Sequence, residues 1–542
     1  MKKLALILAT ILVVMSFPMM LMSNVSAAGV TVTYTAGGAT KTTTTIADAM
    51  AKADNNTTIY ITGGDYILTA RESWGLKGKN FTLDLGGNTV KNADSYRETG
   101  SARIINLSYE GTTAATADNC STITLKNGYI ANTAGGCIFQ IYGYQTVIFG
   151  EGIVVDQHSA GQHGIAVMQS NCKVIFDNGC VVRNTVVTPI KTEAEAVAVG
   201  AHNSWYPLVG QNEDGTTLIF EEGCFVETSG PMHKTAAGKN HAIIVNGGTL
   251  ITQYKNMFVT GNEGCSLTIN GGNLYNAVVC PIYGSNVNEY RVGLVHFVNW
   301  IGANGTLKIT GTPKIYSLYD QSQDKVGYFN LSGTTIADGS IAPANVNVSV
   351  LSDSTQFVSH LEGASCRTTL GTMGLRFQAT FEKTIVDLLE RAAVAGSFKM
   401  GTMIAPKAYV DEAGEFTKEA FMRNGLTYLD VAAESGSYVD ENGNTVVKAA
   451  IVNIKEANKT LDFVATAYIE WTDIAGVTHR CYTNPHPTDA DARNIVEVAN
   501  AALEDVKAAP EGLYTNAVVI DGVAGYARIT QEQVDALVEI VK

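Results

Sequence analysis

The sequence predicts a mainly β protein built as a β-solenoid, followed by a second region of α+β composition. The main observation is a pattern that the chain repeats: a short β-branched strand, a polar turn ending in glycine, and a second short strand. Clear copies occupy residues 122–132, 146–156, 173–184, 217–227 and 266–275. A single coil of this kind cannot bury its own apolar face, so the copies are expected to stack on one another.

The spacing of the turn glycines supports the same fold. They fall at Gly128, Gly152, Gly179, Gly223 and Gly272, in steps of 24, 27, 44 and 49 residues. One coil of a β-solenoid takes about 20 to 30 residues. The first two steps are therefore single coils, and the last two are either paired coils or single coils that carry long loops. Weaker copies at 81–90, 306–309 and 328–331 extend the array in both directions.

The N-terminal residues 1–27 have the pattern of a secretory signal peptide. Lys2 and Lys3 precede a long apolar run, and Val25-Ser-Ala27 matches a small-x-small cleavage site. An uncleaved membrane anchor is the alternative, but Pro18 and the cleavage site favour removal. No later stretch is long and apolar enough to span a membrane. The sequence therefore predicts a secreted, extracellular protein, with association at the cell surface left open.

Composition narrows the partners and the redox chemistry. The formal net charge is −14, which argues against binding to nucleic acid. The nine cysteines occur at strand-like positions, and Cys180 and Cys224 both follow a turn glycine directly. We expect a stack of buried thiols rather than a disulfide framework. We also expect a monomer.

A helix and a change of composition mark the two ends of the array. Residues 45–53 have helical apolar periodicity and are expected to cap the first coil. The coil pattern stops near residue 345, and residues 346–362 have the composition of a linker. Residues 363–542 are expected to form a separate α+β domain, with helices near 384–392, 495–506 and 530–541, and with Asn442-Gly443 at a hairpin turn.

The first region resembles the pectin-lyase-like superfamily of right-handed parallel β-helix proteins. The resemblance lies in the capping helix, in Gly63-Gly-Asp-Tyr-Ile-Leu68 and in Leu83-Asp-Leu-Gly-Gly-Asn-Thr-Val90. It covers about residues 30–345 and implies a right-handed parallel β-helix over 28–345. It does not imply one activity, because the superfamily includes polysaccharide lyases, glycoside hydrolases, esterases, adhesins and members without known catalysis.

The second region resembles an accessory C-terminal module of secreted proteins of anaerobic Gram-positive bacteria. Gly363-Ala-Ser-Cys-Arg367, Gly374-Leu-Arg-Phe377 and Gly401-Thr-Met-Ile-Ala-Pro406 carry the resemblance. The module brings no established chemistry. It often has an apolar residue after Gly-Ala-Ser, and the Cys366 found here is therefore expected to be a buried thiol.

Catalytic residues are hard to find in the coil region. A lyase of this fold needs carboxylates that hold Ca²⁺ and a Lys or Arg base, whereas a hydrolase needs two or three carboxylates close together. The nearest match is Lys191, Glu193 and Glu195, which would share one face of a strand. A solvated corner of the coil is the favoured explanation of these three residues, because charge pairs on turns are common. No cofactor is predicted, and Ca²⁺ enters only if the protein is a lyase.

A ligand-binding site is expected in the polar loops between residues 191 and 241. Trp205 and Tyr206 offer stacking surface, while hydrogen-bonding groups come from His202, His233, Lys234 and His241. The alternative is that the aromatic residues only pack these loops onto the coils. A second patch with Tyr283, Tyr290 and Trp300 is expected to extend the site.

Three functions of different class follow from these observations. The first is binding or display at an extracellular polysaccharide or cell-surface glycan without catalysis, which the missing carboxylate constellation favours. The second is a carbohydrate-active enzyme, a polysaccharide lyase or glycoside hydrolase, with its site in the 191–241 loops. The third is a scaffold that displays the C-terminal module at a distance from the cell.

Overall fold

In a computed structural model of the full chain, the described residues are 29–96, 103–132, 136–157, 164–185, 207–211, 213–235, 238–253, 256–260, 262–276, 298–300, 305–318, 328–331, 333–352, 360–369, 372–433, 437–473, 476–507, 516–520 and 522–542. Within these residues the protein is mainly β, which confirms the predicted class. Three long sheets dominate the N-terminal two thirds, and three smaller sheets with helices follow.

Sheet A has twelve strands and begins with an antiparallel hairpin that pairs with its first parallel strand. Its strands are β1 (Thr31–Ala36), β2 (Ala39–Thr43), β3 (Thr57–Thr62), β6 (Phe81–Asp84), β9 (Ser121–Lys126), β12 (Gln145–Phe149), β15 (Lys173–Phe176), β18 (Thr217–Phe220), β21 (Ala242–Val245), β24 (Ser266–Ile269), β27 (Gly305–Ile309) and β30 (Thr334–Ile336). The predicted first helix is α1 (Ile46–Lys52), whose N-terminus is capped by the Thr45 side chain.

Sheets B and C have ten and nine strands in the described residues, and all their pairings are parallel. Sheet B contains β4 (Tyr66–Leu68), β7 (Thr89–Asn92), β10 (Gly128–Asn132), β13 (Ile153–Gln157), β16 (Val181–Asn184), β19 (Phe225–Thr228), β22 (Thr249–Thr252), β25 (Asn273–Asn276), β28 (Lys314–Ser317) and β31 (Val348–Val350). Sheet C contains β5 (Glu72–Gly75), β8 (Arg103–Ser108), β11 (Cys137–Ile141), β14 (Ala166–Met168), β17 (Val209–Gln211), β20 (His233–Thr235), β23 (Phe258–Thr260), β26 (Val298–Trp300) and β29 (Phe329–Asn330).

The chain visits these sheets in the fixed order A, B, C, and each strand pairs with the strand three positions later. This three-sheet stack, from β3 to β31, is consistent with a β-solenoid. The strand pairing also shows how many coils each of the two long steps in the glycine spacing contains. The step from Gly223 to Gly272 contains two ordinary coils, with Gly248 at the turn between them, whereas the step from Gly179 to Gly223 is one coil with an insertion.

Alternate residues of the sheet A strands β6 to β27 fill the interior of the three-sheet stack. Val147, Val174, Leu218 and Ile243 lie in register along sheet A, and all are fully buried. Phe149, Phe176 and Phe220 stack in the same way, with ring centroids 5.2 and 5.1 Å apart. Because each coil buries its side chains against the next, the apolar core runs through the whole stack.

The cysteines largely follow the sequence prediction. Among the described residues, buried thiols are Cys137, Cys172, Cys180, Cys224, Cys265 and Cys481. Burial raises the pKa of the Cys137 thiol to about 11 and that of Cys224 to about 12, so both stay protonated at neutral pH. Two cysteines differ from the expectation. Cys120 is exposed, and Cys366 is half-buried rather than buried because its strand β32 (His360–Arg367) lies at the edge of its sheet.

The C-terminal residues form an α+β arrangement, as predicted. Sheet D contains β32, β33 (Gly374–Phe381), β36 (Tyr438–Val439) and β37 (Thr445–Val452), and sheet E contains β34 (Lys399–Pro406), β35 (Leu429–Ala432), β38 (Phe463–Thr472) and β39 (Thr478–Tyr482). The remaining strands form the hairpin β40 (Asn516–Ile520) and β41 (Val523–Ala527). The helices are α2 (Lys383–Ala392), α3 (Lys407–Ala413), α4 (Lys418–Asn424), α5 (Ile495–Lys507) and α6 (Gln531–Val541).

The C-terminal residues pack directly on the outward face of sheet B. Ile251, Tyr275 and Tyr316 are consecutive partners in register, and each is buried even though it points away from the stack interior. They belong to one apolar cluster with Leu388 and Trp471 of the C-terminal region. Strand β31 also lies within residues 346–362, which the sequence had marked as a linker. The stack and the C-terminal region therefore share a core at this face.

Candidate functional site

Most residues that the sequence singled out as a site lie outside the described residues. This group comprises Lys191, Glu193, Glu195, His202, Trp205 and Tyr206. The second patch with Tyr283 and Tyr290 is also outside them. Lys234 lies in β20, but nothing of its side chain is described. The remaining two residues, His233 and His241, are described and can be compared with the expectation.

His233 lies in β20 and His241 in the short connection before β21, and both side chains point into the three-sheet stack. Both side chains are fully buried. His241 Nδ1 is 2.7 Å from the hydroxyl of Thr216, which in turn accepts a hydrogen bond from Gln211 at 2.6 Å. The sequence interpretation placed both histidines in a long polar insertion. The structure differs because the chain from Gly223 to Gly272 forms two ordinary coils, which leaves only short connections at these positions.

The burial of His233 has a consequence for stability at acidic pH. Burial, with a smaller contribution from the neighbouring His241, lowers the pKa of His233 to about 3, and neither ring nitrogen has a hydrogen-bond partner among the described residues. The unfolded chain, with a histidine pKa of about 6.5, is therefore protonated first as the pH falls. Protonation at this residue favours unfolding between pH about 6.5 and about 3, by up to about 1.4 kcal/mol per pH unit.

We expect His233→Met to remove this dependence. Between pH 7 and pH 5 the variant should gain about 2 kcal/mol in its free energy of unfolding relative to the unmodified protein, measured by urea denaturation at both pH values. His486→Met is the matched control, because His486 is exposed. Equal pH dependence of the unmodified protein and both variants would show that His233 is not held neutral by the fold.

A row of buried polar side chains marks the place where the chain leaves sheet B for sheet C. It comprises the last residue of successive sheet B strands: Asn92, Asn132, Gln157, Asn184, Thr228, Thr252, Asn276 and Ser317. The Asn132 and Gln157 amides both donate to the carbonyl of Gly136, at 3.0 Å each. Buried polar groups of this kind fix the backbone from which each connection starts.

The connections that start at this row vary greatly in length. Three are short, namely 133–136, 229–232 and 253–257, while 93–102, 158–165 and 318–328 are intermediate, and 185–208 and 277–297 are far longer. Connections from sheet A to sheet B stay short up to β28, and those from sheet C to sheet A are short except at 109–120. Because the strands of sheet B are parallel and in register, the two longest connections leave the same side of the stack.

A cluster of charged and phenolic side chains on sheet E was not recognised from the sequence. Lys418 Nζ lies 3.0 Å from Asp430 Oδ2 and 3.8 Å above the ring of Tyr468. Arg480 Nε donates to Glu470 Oε2 at 2.6 Å, and its Nη1 donates to Glu419. The Tyr468 hydroxyl donates to Asp430 at 2.8 Å. Alternation on facing strands, at Tyr468 and Glu470 and at Arg480 and Tyr482, is the sequence signal that marks this cluster.

The local fold explains both the position and the titration of this cluster. Strand β38 places Tyr468 and Glu470 on one face, and the first turn of α4 brings Lys418 and Glu419 above them. Burial raises the pKa of Tyr468, and its hydrogen bond to Asp430 raises it further. Burial also acts to raise the pKa of Glu419, but backbone and Arg480 hydrogen bonds outweigh it and hold this pKa below its usual range. Each charged side chain of the cluster contacts one of opposite sign, which fits a network that anchors α4 to sheet E.

Within the described part of the chain, no group of three or more His, Cys, Asp or Glu side chains is arranged to hold a metal ion. None of the described helices combines the length and the apolar character that crossing a membrane requires.

Comparison with known proteins gives no relative for this chain. No family model, no curated protein and no solved structure matches it.

Proposed function

We propose that this chain is an exported protein that binds an extracellular polysaccharide or a cell-surface glycan without catalysing its cleavage. In this proposal residues 1–27 are a signal peptide and the three-sheet stack is a right-handed parallel β-helix. The C-terminal region, residues 363–542, is an accessory domain docked on its side. The acidic composition fits a ligand that is not a nucleic acid.

The observation that carries this proposal is the placement of the two longest connections. Both 185–208 and 277–297 leave sheet B on the side that faces sheet C, and three strand steps separate their starting strands β16 and β25. Neighbouring strands lie about 4.8 Å apart, so the starting points are about 14 Å apart. Two insertions that start this far apart on a rigid stack can contact several sugar residues of one ligand, which favours an oligosaccharide over a single sugar.

The composition of these connections fits recognition of hydroxylated, partly apolar rings. Residues 185–208 contain Trp205 and Tyr206, and residues 277–297 contain Tyr283 and Tyr290. Aromatic rings stack on sugar faces, and the polar residues between them supply hydrogen bonds to hydroxyl groups. His233 and His241 take no part in this proposal, because both are buried inside the stack.

A glycan array followed by titration of the strongest ligand tests the proposal. We expect replacement of Trp205 and Tyr206 together by Ala to weaken binding at least about tenfold, since each stacked aromatic contributes about 1 kcal/mol or more. The matched control replaces Tyr60 and Tyr438 by Ala, because these tyrosines are 47% and 46% exposed at other places on the molecule. The control should keep full affinity, and both variants should keep the melting temperature of the unmodified protein.

Other outcomes would change the assignment. Binding that survives the Trp205 and Tyr206 replacements would remove this connection from the site. Formation of an unsaturated uronate, seen by ultraviolet absorbance, would instead support a lyase that uses Lys191 as base with Glu193, Glu195 and Ca²⁺. Released reducing ends without that absorbance would support a glycoside hydrolase.

A further inference from the structure

The outward face of sheet A carries a continuous apolar stripe. Ile148, Ile175, Ile219 and Ile244 are consecutive partners in the strand register, so their side chains follow one another directly along the stack. Each points away from the interior and is partly exposed. None of the four belongs to a buried core cluster of the described residues. We call these four residues the isoleucine stripe.

The stripe is restricted to four neighbouring coils, although the same row continues beyond it. The row holds Thr82 and Thr124 before the stripe, and Thr268 and Lys308 after it. Threonine is β-branched like isoleucine and fits a strand equally well, so strand propensity does not explain the change. An apolar centre with a polar surround is the arrangement of a protein–protein interface.

The chain's own C-terminal region occupies a different face. It packs on sheet B through Ile251, Tyr275 and Tyr316, and none of the stripe residues belongs to that shared cluster. Another sheet can cover an apolar sheet face, because two sheets pack face to face with their side chains interdigitated about 10 Å apart. A second copy of this chain offers such a surface.

Charges beside the stripe distinguish the ways in which two copies can meet. Lys173 lies two residues before Ile175 in its strand and is exposed, whereas Asp177 lies two residues after it. Glu221 occupies the same position as Asp177 in the next coil. Its carboxylate accepts a 2.9 Å hydrogen bond from the side-chain amide of Asn246, which occupies that position one coil further on. One edge of the stripe therefore carries a cation, and the opposite edge carries two carboxylates.

A two-fold axis parallel to the stack would place the cationic edge of one copy on the acidic edge of the other. Lys173 would then face Asp177 of the second copy, with Glu221 of that copy one strand away, and the pair would occur twice by symmetry. A two-fold axis along the strands would instead place Asp177 against Glu221, which is repulsive. The first arrangement joins the isoleucine stripes without placing like charges of these edges together.

We propose that the isoleucine stripe is a homodimer interface, in which two copies of the chain pack their sheet A faces with the stacks parallel. The dimer replaces the monomer expected from the sequence, and it goes beyond the proposed glycan function. The stripe lies on sheet A, whereas the connections from sheet B to sheet C start at the C-terminal ends of the sheet B strands.

Sedimentation velocity of the full mature chain, from about 1 to about 100 µM, tests this proposal. We expect a dimer for the unmodified protein and a monomer for the Ile175→Lys/Ile219→Lys variant. The matched control is Thr124→Lys/Thr268→Lys, in the same row but at the two ends of the stripe, which should weaken dimerisation far less. Circular dichroism melting of each variant checks that the stack itself stays folded.

A charge-reversal cycle tests the orientation independently. Lys173→Asp and Asp177→Lys should each raise the dimer dissociation constant by about tenfold, and the double variant should return it to within about threefold of the original. A monomer at 100 µM, or a dimer unaffected by the stripe variant, would overturn the proposal. So would a stripe variant that loses glycan binding instead of self-association, since the face would then hold the glycan. If each single charge reversal weakens the dimer and the double variant does not restore the dissociation constant, the parallel arrangement is contradicted.

Discussion

Replacing Arg391 by Ala is expected to lower the free energy of unfolding by about 3 kcal/mol. Arg391 lies in α2 and donates from Nη1 to Glu227 of sheet B, across the contact between the stack and the C-terminal region. The Glu227 side chain is only 6% exposed. Its other partners are Gln253, which donates at 2.7 Å, and Arg183 at 4.0 Å. Removal of Arg391 therefore leaves a buried carboxylate with one distant cation.

Urea denaturation measures this loss, and Lys399→Ala provides the control. Lys399 pairs with Glu470 at 3.7 Å, but its side chain is 65% exposed, so its removal should cost less than about 1 kcal/mol. The double replacement Glu227→Leu/Arg391→Leu should recover much of the stability, because apolar side chains fill the same interface without a buried charge. If Arg391→Ala costs no more than the Lys399 control, the contact between the two regions does not contribute to stability.

Gly311→Ala is expected to cost about 3 kcal/mol or more, against about 1 kcal/mol for Gly111→Ala. Both glycines have left-handed backbone conformations, with φ values of 64° and 63°. They differ in their surroundings. A Cβ on Gly311 would lie 2.1 Å from the backbone carbonyl oxygen of Asn270 in the preceding coil, whereas a Cβ on Gly111 would meet nothing within 4 Å.

The comparison separates backbone strain from the close contact between coils. The strain is common to both variants, so the difference in the free energy of unfolding reports the stacking contact alone. Thermal and urea unfolding of the two variants measure it. Equal destabilisation would mean that the turn of Gly311 does not press on the coil before it, which would contradict the close stacking of β24 and β27.

The sequence predicts the repeating part of this fold because each coil repeats the same local chemistry. The β-branched strands, the polar turns and the left-handed glycine that precedes most sheet B strands are all readable within one copy, although Asn127 takes the place of the glycine before β10. The helix α1 and the capping box at Thr530 and Gln533 are local patterns of the same kind. Where the signal was local, prediction and structure agree.

Features that depend on register between distant coils were not predictable. Glu227, Ile251, Tyr275 and Tyr316 look like ordinary outward strand residues, and only the alignment of four strands makes them one docking surface. His233 and His241 show the same limitation. The long step in the glycine spacing made both histidines look like loop residues. The turn at Gly248, which divides that step into two ordinary coils, was not recognised, and the structure buries both side chains inside the stack.

The isoleucine stripe likewise becomes visible only through register. Each isoleucine sits in its own copy of the repeat as a single partly exposed strand residue, which is common on protein surfaces. The four side chains become a surface when parallel pairing places them on neighbouring strands. The sequence of a single repeat therefore predicts the coil, but the surfaces of the stacked coils depend on how the strands of different coils align.

Hydrogen–deuterium exchange of the protein, with and without the glycan identified on the array, tests the central claim most directly. We predict that the ligand slows exchange in peptides that cover 185–208 and 277–297, while peptides from sheet A and from α5 and α6 exchange as before. Protection confined to the C-terminal region, or spread along sheet A, would contradict a binding site on the connections from sheet B to sheet C.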